Sequence, residues 1–363
     1  MRCGPRKSLL MISSTPRPHP SYNKISSFAN LASNNDAAGV ITPSSKNKTT
    51  TKSNTTSVGA EQSNANANPN EVNKFSEFAS HWWDSRSNPL IGMNPIRIKF
   101  IREAVDQQFQ QIIPESTNSL PLQNKRILDV GCGGGLLTES LSRLGASHVV
   151  GVDASPTVVE VARTHSFHHH SRLTLSEQWD NQLTNSENGN DNIHYIGGMT
   201  VEELAAYWLS EREKEQITSS PDTQQESHEL FDIITALEVI EHVPNPKSLL
   251  HAASTLLKPN GILFVSTINR TMKSYGLAIV AAEYITGKVP VGTHDWNQFW
   301  SPSEVERMVC SDRSGEPCSH LQQIALSGLV IKPPFVNMQW SLDPSDVDVN
   351  WIGAYQKQRA PPS

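Results

Sequence analysis

The run ILDVGCGGG, residues 127–135, followed at once by the amphipathic LLTESLSRLG, constrains this chain more than any other stretch. A short apolar segment ending in glycines and opening onto helical periodicity reads as strand, glycine turn and helix, the helix stopping at Gly145. Without side chains at the turn, a ligand can approach backbone N–H groups at the positive end of the helix. Many ligands would accept that. A dinucleotide fingerprint would place a third small residue where Leu136 stands, which counts against an NAD-dependent oxidoreductase.

The segments around this unit continue the alternation. HVVGVD (148–153) is the next strand, and Ser155 with Pro156 supplies the cap and first position of a helix over PTVVEVARTH. NIHYIGG is a strand, TVEELAAYWL opens with a capping box from Thr200 to Glu203, and FDIITALEVI, GILFVSTI and the Ser301-capped SPSEVERMV extend the series. Two helices lead into it, one over NEVNKFSEFASHWWD and one carrying the stripe Ile96, Phe100, Ile101 and Val105. At the C-terminal end IALSGLVIKPPFVNMQWSL and VNWIGAYQK hold strands with no helix between them, the pattern of an antiparallel edge. The expected fold is α/β: a doubly wound, Rossmann-like sheet, mostly parallel with an antiparallel C-terminal end, over residues 71–363. Polar stretches at 165–191 and 211–229 read as loop insertions. The HHH tract at 168–170 lies in the first of these and reads as a solvated run.

Residues 1–70 differ in composition. They hold eight of the 30 basic residues and only Asp36 and Glu61 of the 36 acids, which leaves 22 basic and 34 acidic residues in the folded part. An acid-free, basic first 35 residues has the character of a mitochondrial or chloroplast transit segment. The acidic remainder disfavours nucleic-acid binding. Four cysteines with no CxxC pair fit a reduced compartment, and no run of eighteen apolar residues is present to cross a bilayer. GLAIVAAEYI (276–285) is too short to span and reads as a core helix or an interfacial one.

Polar residues cluster where strands should end. Asp153 closes the second strand, where a carboxylate can accept both hydroxyl protons of a ribose, and Asp129 inside the first strand calls for a cationic or N–H partner. In ALEVIEHVPNP, Glu238, Glu241 and His242 stand at spacings of three and four, which converge if a helix begins at the strand end. Three chemistries suit such a face: carboxylates stabilised by the helix dipole, His242 as a general base towards a phenol, or a divalent metal site. His294 and Asp295 in VGTHDW are loop residues that could border a pocket.

ILDVGCGGG, the strand ending GVD, the ExxEH and GILFVSTINR together resemble class I S-adenosylmethionine-dependent methyltransferases. More narrowly, KFSEFASHWWD, MNPIRIKFI, EVIEHVPNP, STINRTMKSYGLAIVAAEYI, VPVGTHDW and VDVNWIGAY resemble the ubiquinone biosynthesis O-methyltransferase family, over nearly all of 71–357 outside the two insertions. The resemblance implies S-adenosylmethionine held by Arg97 at its carboxylate, Gly131 at its methionyl part, Asp153 at its ribose and Leu237. It implies a divalent ion, Mg²⁺ in the first instance, on Glu238, Glu241 and His242. Implied with these are polyprenylated catechol substrates of the 3,4-dihydroxy-5-polyprenylbenzoate and demethylubiquinol type, and peripheral association with the matrix side of the mitochondrial inner membrane. A place in a multi-subunit coenzyme Q synthesis complex is implied too. A non-catalytic, cofactor-binding scaffold subunit of that complex is the alternative role.

Overall fold

The computed structural model describes residues 66–109, 120–176, 192–218, 229–277, 295–310, 320–332 and 339–359, with side chains left out at 169–176, 215–218 and 310. Residues 1–65, where nearly all of the expected transit segment falls, lie outside the described residues, as do most of the apolar stretch 276–285 and His294.

The strands are β1 (Arg126–Val130), β2 (His148–Asp153), β3 (Ile193–Gly197), β4 (Phe231–Leu237), β5 (Leu257–Ile268), β6 (Leu321–Lys332), β7 (Gln339–Asp343) and β8 (Asn350–Lys357). They form one eight-stranded sheet in the order β3-β2-β1-β4-β5-β8-β6-β7. Pairings among β1 to β5 are parallel, and β8 is antiparallel to both β5 and β6, as β6 is to β7. The expected doubly wound sheet with an antiparallel end is therefore what the chain forms. β1, β2 and β3 progress one way from the centre and β4 and β5 the other, so the order reverses between β1 and β4. That reversal leaves an uncovered crevice beyond the carboxyl ends of those two strands.

The helices of eight or more residues among the described residues are α1 (Pro69–Phe78), α2 (Leu90–Phe109), α3 (Leu136–Arg143), α4 (Pro156–Ser176), α5 (Val201–Thr218), α6 (Pro246–Leu256) and α7 (Pro302–Cys310). Because parallel crossovers are right-handed, α3 and α4 fall on one face of the sheet and α5 and α6 on the other. The three expected caps are made: Val158 N–H donates to Ser155 Oγ at 3.3 Å, and capping boxes close between Thr200 and Glu203 and between Ser301 and Glu304. The core buries Ile101 of α2 and Leu141 of α3 against Ile127, Ile233 and Phe264 of the central strands.

Three local expectations are corrected. Residues 165–176 and 211–218, expected as loop, continue α4 and α5, because neither helix contains a glycine, or a proline past its first residue, to stop it. NEVNKFSEFASHWWD does not run as one helix; α1 ends at Phe78 and a 3-10 turn follows over Ala79–His81. No helix begins at the end of β4. Pro244 and Pro246 each bias the preceding residue away from helical backbone, so α6 waits until Pro246, with the Asn245 side chain accepting from Ser248 N–H at 3.1 Å.

β8 joins the parallel and antiparallel parts of the sheet, and its Trp351 is fully buried, with the indole N–H donating to Trp300 O at 2.8 Å. Trp351→Ala is expected to cost about 3–5 kcal/mol of unfolding free energy, read as a lower urea midpoint at an unchanged m-value.

Candidate functional site

The crevice at the reversal is a cavity of about 600 Å³. The glycine loop forms one wall. Gly131 has φ +67°, and a Cβ there would stand 2.4 Å from Val239 Cγ2, so both backbone and space require glycine. Gly133 N–H donates to Asp153 Oδ2 at 3.0 Å and Ser155 N–H to Asp153 Oδ1 at 2.8 Å. These bonds aim the carboxylate at the tip of β2 into the cavity and leave further lone pairs for a diol. Burial raises the Asp153 pKa, against the pull of the two N–H groups.

Asp129 of β1 accepts from Thr138 Oγ1 at 2.6 Å and from Thr235 Oγ1 at 2.7 Å. Its direct partners are hydroxyls of α3 and β4 rather than the expected N–H group or cation. Burial pushes its pKa up to about 6, opposed by those hydroxyls and by the more distant charge of Arg97. Arg97 of α2 is 3% exposed and lies 3.2 Å from Glu238 Oε1, an ion pair without hydrogen-bond geometry. Its Nε and Nη2 make no hydrogen bond, so a buried guanidinium retains unused donors. Arg97 reaches the site through Glu238 rather than as part of the cavity wall.

The ExxEH residues all line the cavity, but from a turn and not from one helix face. Glu238 takes a left-handed backbone, φ +57°, which is uncommon for a side-chain-bearing residue. Ser266 of β5 holds it there: Glu238 N–H donates to Ser266 O at 2.9 Å, and Ser266 Oγ donates to Glu238 Oε1 at 2.7 Å. Glu241 is 4% exposed and its Oε2 has no hydrogen-bond partner. Burial, and then the neighbouring Glu238 charge, push its pKa up to about 7. His242 Nδ1 lies 2.9 Å from Glu71 Oε2. Burial acts to lower its pKa, but the Glu71 bond and the surrounding carboxylates outweigh it, and the pKa is raised.

As placed, these residues fit a cation only in part. The unpaired Glu241 oxygen and the second His242 nitrogen are suitable donors, while Glu238 is turned towards Arg97 and Ser266. Among the described residues no three of His, Cys, Asp and Glu stand together as a metal-holding group. Leu237, 8% exposed, lines the cavity between the glycine loop and the acidic turn. Asp295 caps the 3-10 turn Trp296–Gln298 through its carboxylate, a structural use. His168 is exposed, away from the cavity lining.

Several lining residues carry no local signature. Phe75, Phe78 and Trp82 form an aromatic wall, with Trp82 laid over the loop so closely that a Cβ on Gly133 would meet its ring at 2.0 Å. Trp83 Nε1 donates to Gly134 O at 3.0 Å. Glu71 completes the edge facing His242. The only hint in the sequence is the aromatic density of KFSEFASHWWD, which reads equally as a packed helix.

Because its folded-state pKa is raised from 3.8 to about 6, Asp129 contributes stability below pH 3.8 that is lost as pH rises through 6. Asp129→Asn removes that dependence. The stability of the natural protein minus that of the variant should fall by roughly 3 kcal/mol between pH 4 and 6 and stay level above, measured by urea unfolding across pH.

Residues 96–311 match the protein family described as "Methyltransferase domain". The chain is 36% identical over 293 residues to the "Ubiquinone biosynthesis O-methyltransferase" of Cereibacter sphaeroides, covering 80% of this chain and 97% of the relative. It is 37% identical over 296 residues to the protein of that name from Idiomarina loihiensis, covering 80% and 94%. To the "Ubiquinone biosynthesis O-methyltransferase, mitochondrial" of Dictyostelium discoideum it is 36% identical over 284 residues, covering 78% and 75%. With the sheet reversal, the glycine loop and the strand-end acid of β2 inside the matched span, the chain belongs to the ubiquinone biosynthesis O-methyltransferase family and is an S-adenosylmethionine-dependent O-methyltransferase.

Proposed function

We propose that the protein methylates a phenolic oxygen of polyprenylated catechols, of the 3,4-dihydroxy-5-polyprenylbenzoate and demethylubiquinol type. The observation that carries this reading is one cavity with two chemically distinct walls. Gly131, Asp153 and Leu237 suit the methyl donor, and Glu238, Glu241 and His242 suit an acidic hydroxyl, with aromatic rings between them for a flat acceptor. Arg97 is the group for the donor's carboxylate: its buried Nε and Nη2 make no hydrogen bond, Nη2 being ion-paired to Glu238, and a guanidinium can bind a carboxylate through two parallel bonds. When bound, S-adenosylmethionine supplies an electrophilic methyl on a sulfonium.

A phenol of pKa ~10 is mostly protonated at neutral pH and needs a base. His242 takes the hydroxyl proton on the ring nitrogen not bonded to Glu71. The phenolic oxygen's electron pair forms the O–CH₃ bond as the S–CH₃ bond breaks, and neutral S-adenosylhomocysteine leaves. Asp153 would hold the donor at its ribose and Arg97 at its carboxylate, and the aromatic wall would exclude water.

A divalent ion such as Mg²⁺ is the second reading of the turn, favoured by the unpaired, buried Glu241 Oε2. Glu241 and His242 would hold it, joined by Glu238 once that carboxylate is released by Arg97, and it would favour the phenolate form of the acceptor. The transit-like composition of residues 1–70 and the greasy substrate support peripheral residence on the matrix side of the mitochondrial inner membrane, within a coenzyme Q synthesis complex. Met272, 76% exposed, and Leu277, 51% exposed, mark the described edge of a surface for that contact. No described helix is long and apolar enough to cross a membrane.

The full-length protein should move a labelled methyl group from S-adenosylmethionine to a short-chain prenyl dihydroxybenzoate, and donor binding without transfer to any catechol would overturn the reading. Loss of turnover in EDTA with recovery in Mg²⁺ would assign the metal, and indifference to EDTA would leave His242 as base. Asp153→Asn should weaken donor binding about 10-fold or more in calorimetry, the loss of a charge-assisted bond.

A further inference from the structure

Helix α1 delivers two contacts, one helical turn apart, to a single ring. Glu71 Oε2 lies 2.9 Å from His242 Nδ1, and Phe75, four residues on, meets the same imidazole edge-on at 5.0 Å between centroids and 90° between planes. The carboxylate is itself held, with Lys74 Nζ donating to Glu71 Oε1 at 2.7 Å.

The helix behind these contacts is tied to the donor side of the cavity. Ser76 Oγ meets the Ser155 Oγ that caps α4 at 2.8 Å, and the turn after α1 lays Trp82 on Gly133. Before α1, Asn66 bonds Glu202 and the backbone of Asn245 at both O and N–H. A displacement of α1 would therefore move the ring and disturb the glycine loop together.

We propose that Glu71 is a positioning residue of the methyltransferase: it fixes the proton of His242 on Nδ1 and turns the other ring nitrogen towards the acceptor. An imidazole free to choose its tautomer spends part of its time with that nitrogen protonated, unable to accept a proton or hold a cation. A carboxylate at Nδ1 removes that state, so the inference holds whether His242 acts as base or as ligand. It rests on the acceptor lying against His242, as proposed above.

Nitrogen-15 NMR of the full-length, [¹⁵N]histidine-labelled protein at pH 9, with His242 assigned by its absence in His242→Ala, reads the tautomer without altering Glu71. The proton is expected on Nδ1. In turnover, Glu71→Ala should lower kcat about 10- to 100-fold with the calorimetric donor Kd unchanged, and Glu71→Asp should recover part of the loss. Glu71→Ala/His242→Ala should be no slower than His242→Ala alone, since the carboxylate acts only through the ring. A proton on Nε2 in the natural protein, or a double variant slowed by the product of the two single effects, would overturn the proposal. Failure of the natural protein to methylate any catechol would instead overturn the substrate reading and leave the tautomer result standing.

Discussion

The buried carboxylate of Asp129, clasped by the hydroxyls of Thr138 and Thr235, is the pin on which the site is assembled. It joins the end of β1, the first turns of α3 and the middle of β4, the three elements that frame the sheet reversal. A buried acid with two hydroxyl donors and no adjacent cation is costly to ionise, which is why its pKa climbs. The return on that cost is positional. With β1 and β4 locked together, the glycine loop and the acidic turn leave the sheet side by side, so both line one cavity.

Electrostatics in the cavity follow from that crowding. Glu71, Asp153, Glu238 and Glu241 face a space whose cationic company is Lys74 paired to Glu71, Arg97 behind Glu238, and His242, whose proton affinity the three glutamates raise. Carboxylates this close cannot all ionise freely, and Glu241, the most buried of the acidic turn, shows it in a pKa near 7. Acidic side chains outnumber basic ones along the cavity's lining. That excess of acid agrees with methyl transfer from a cationic, sulfonium-bearing donor.

Much of the architecture was legible in the chain because its signals are local. Alternating strand and helix periods, the Thr200–Glu203 and Ser301–Glu304 boxes, the glycine turn and the unbroken final strands each depend on residues a few positions apart. Local reading erred where two local forces competed. The polar composition of 165–176 suggested loop, yet the absence of glycine and interior proline let α4 continue. The ExxEH spacing suggested a helix face, yet Pro244 and Pro246 delay the helix and Glu238 turns left-handed on Ser266.

The sequence by itself determined a doubly wound methyltransferase sheet, its glycine loop and the acids at its strand ends, since backbone sterics and periodicity act between near neighbours. Only the tertiary structure decided what those acids face. Asp129 meets Thr235 across 106 positions, and His242 meets Glu71 across 171. Trp82 settles on Gly133 from the far side of α2 in the chain. Contacts at such separations exist because the sheet reversal brings distant strand ends together, and no periodicity records which side chain will be waiting there.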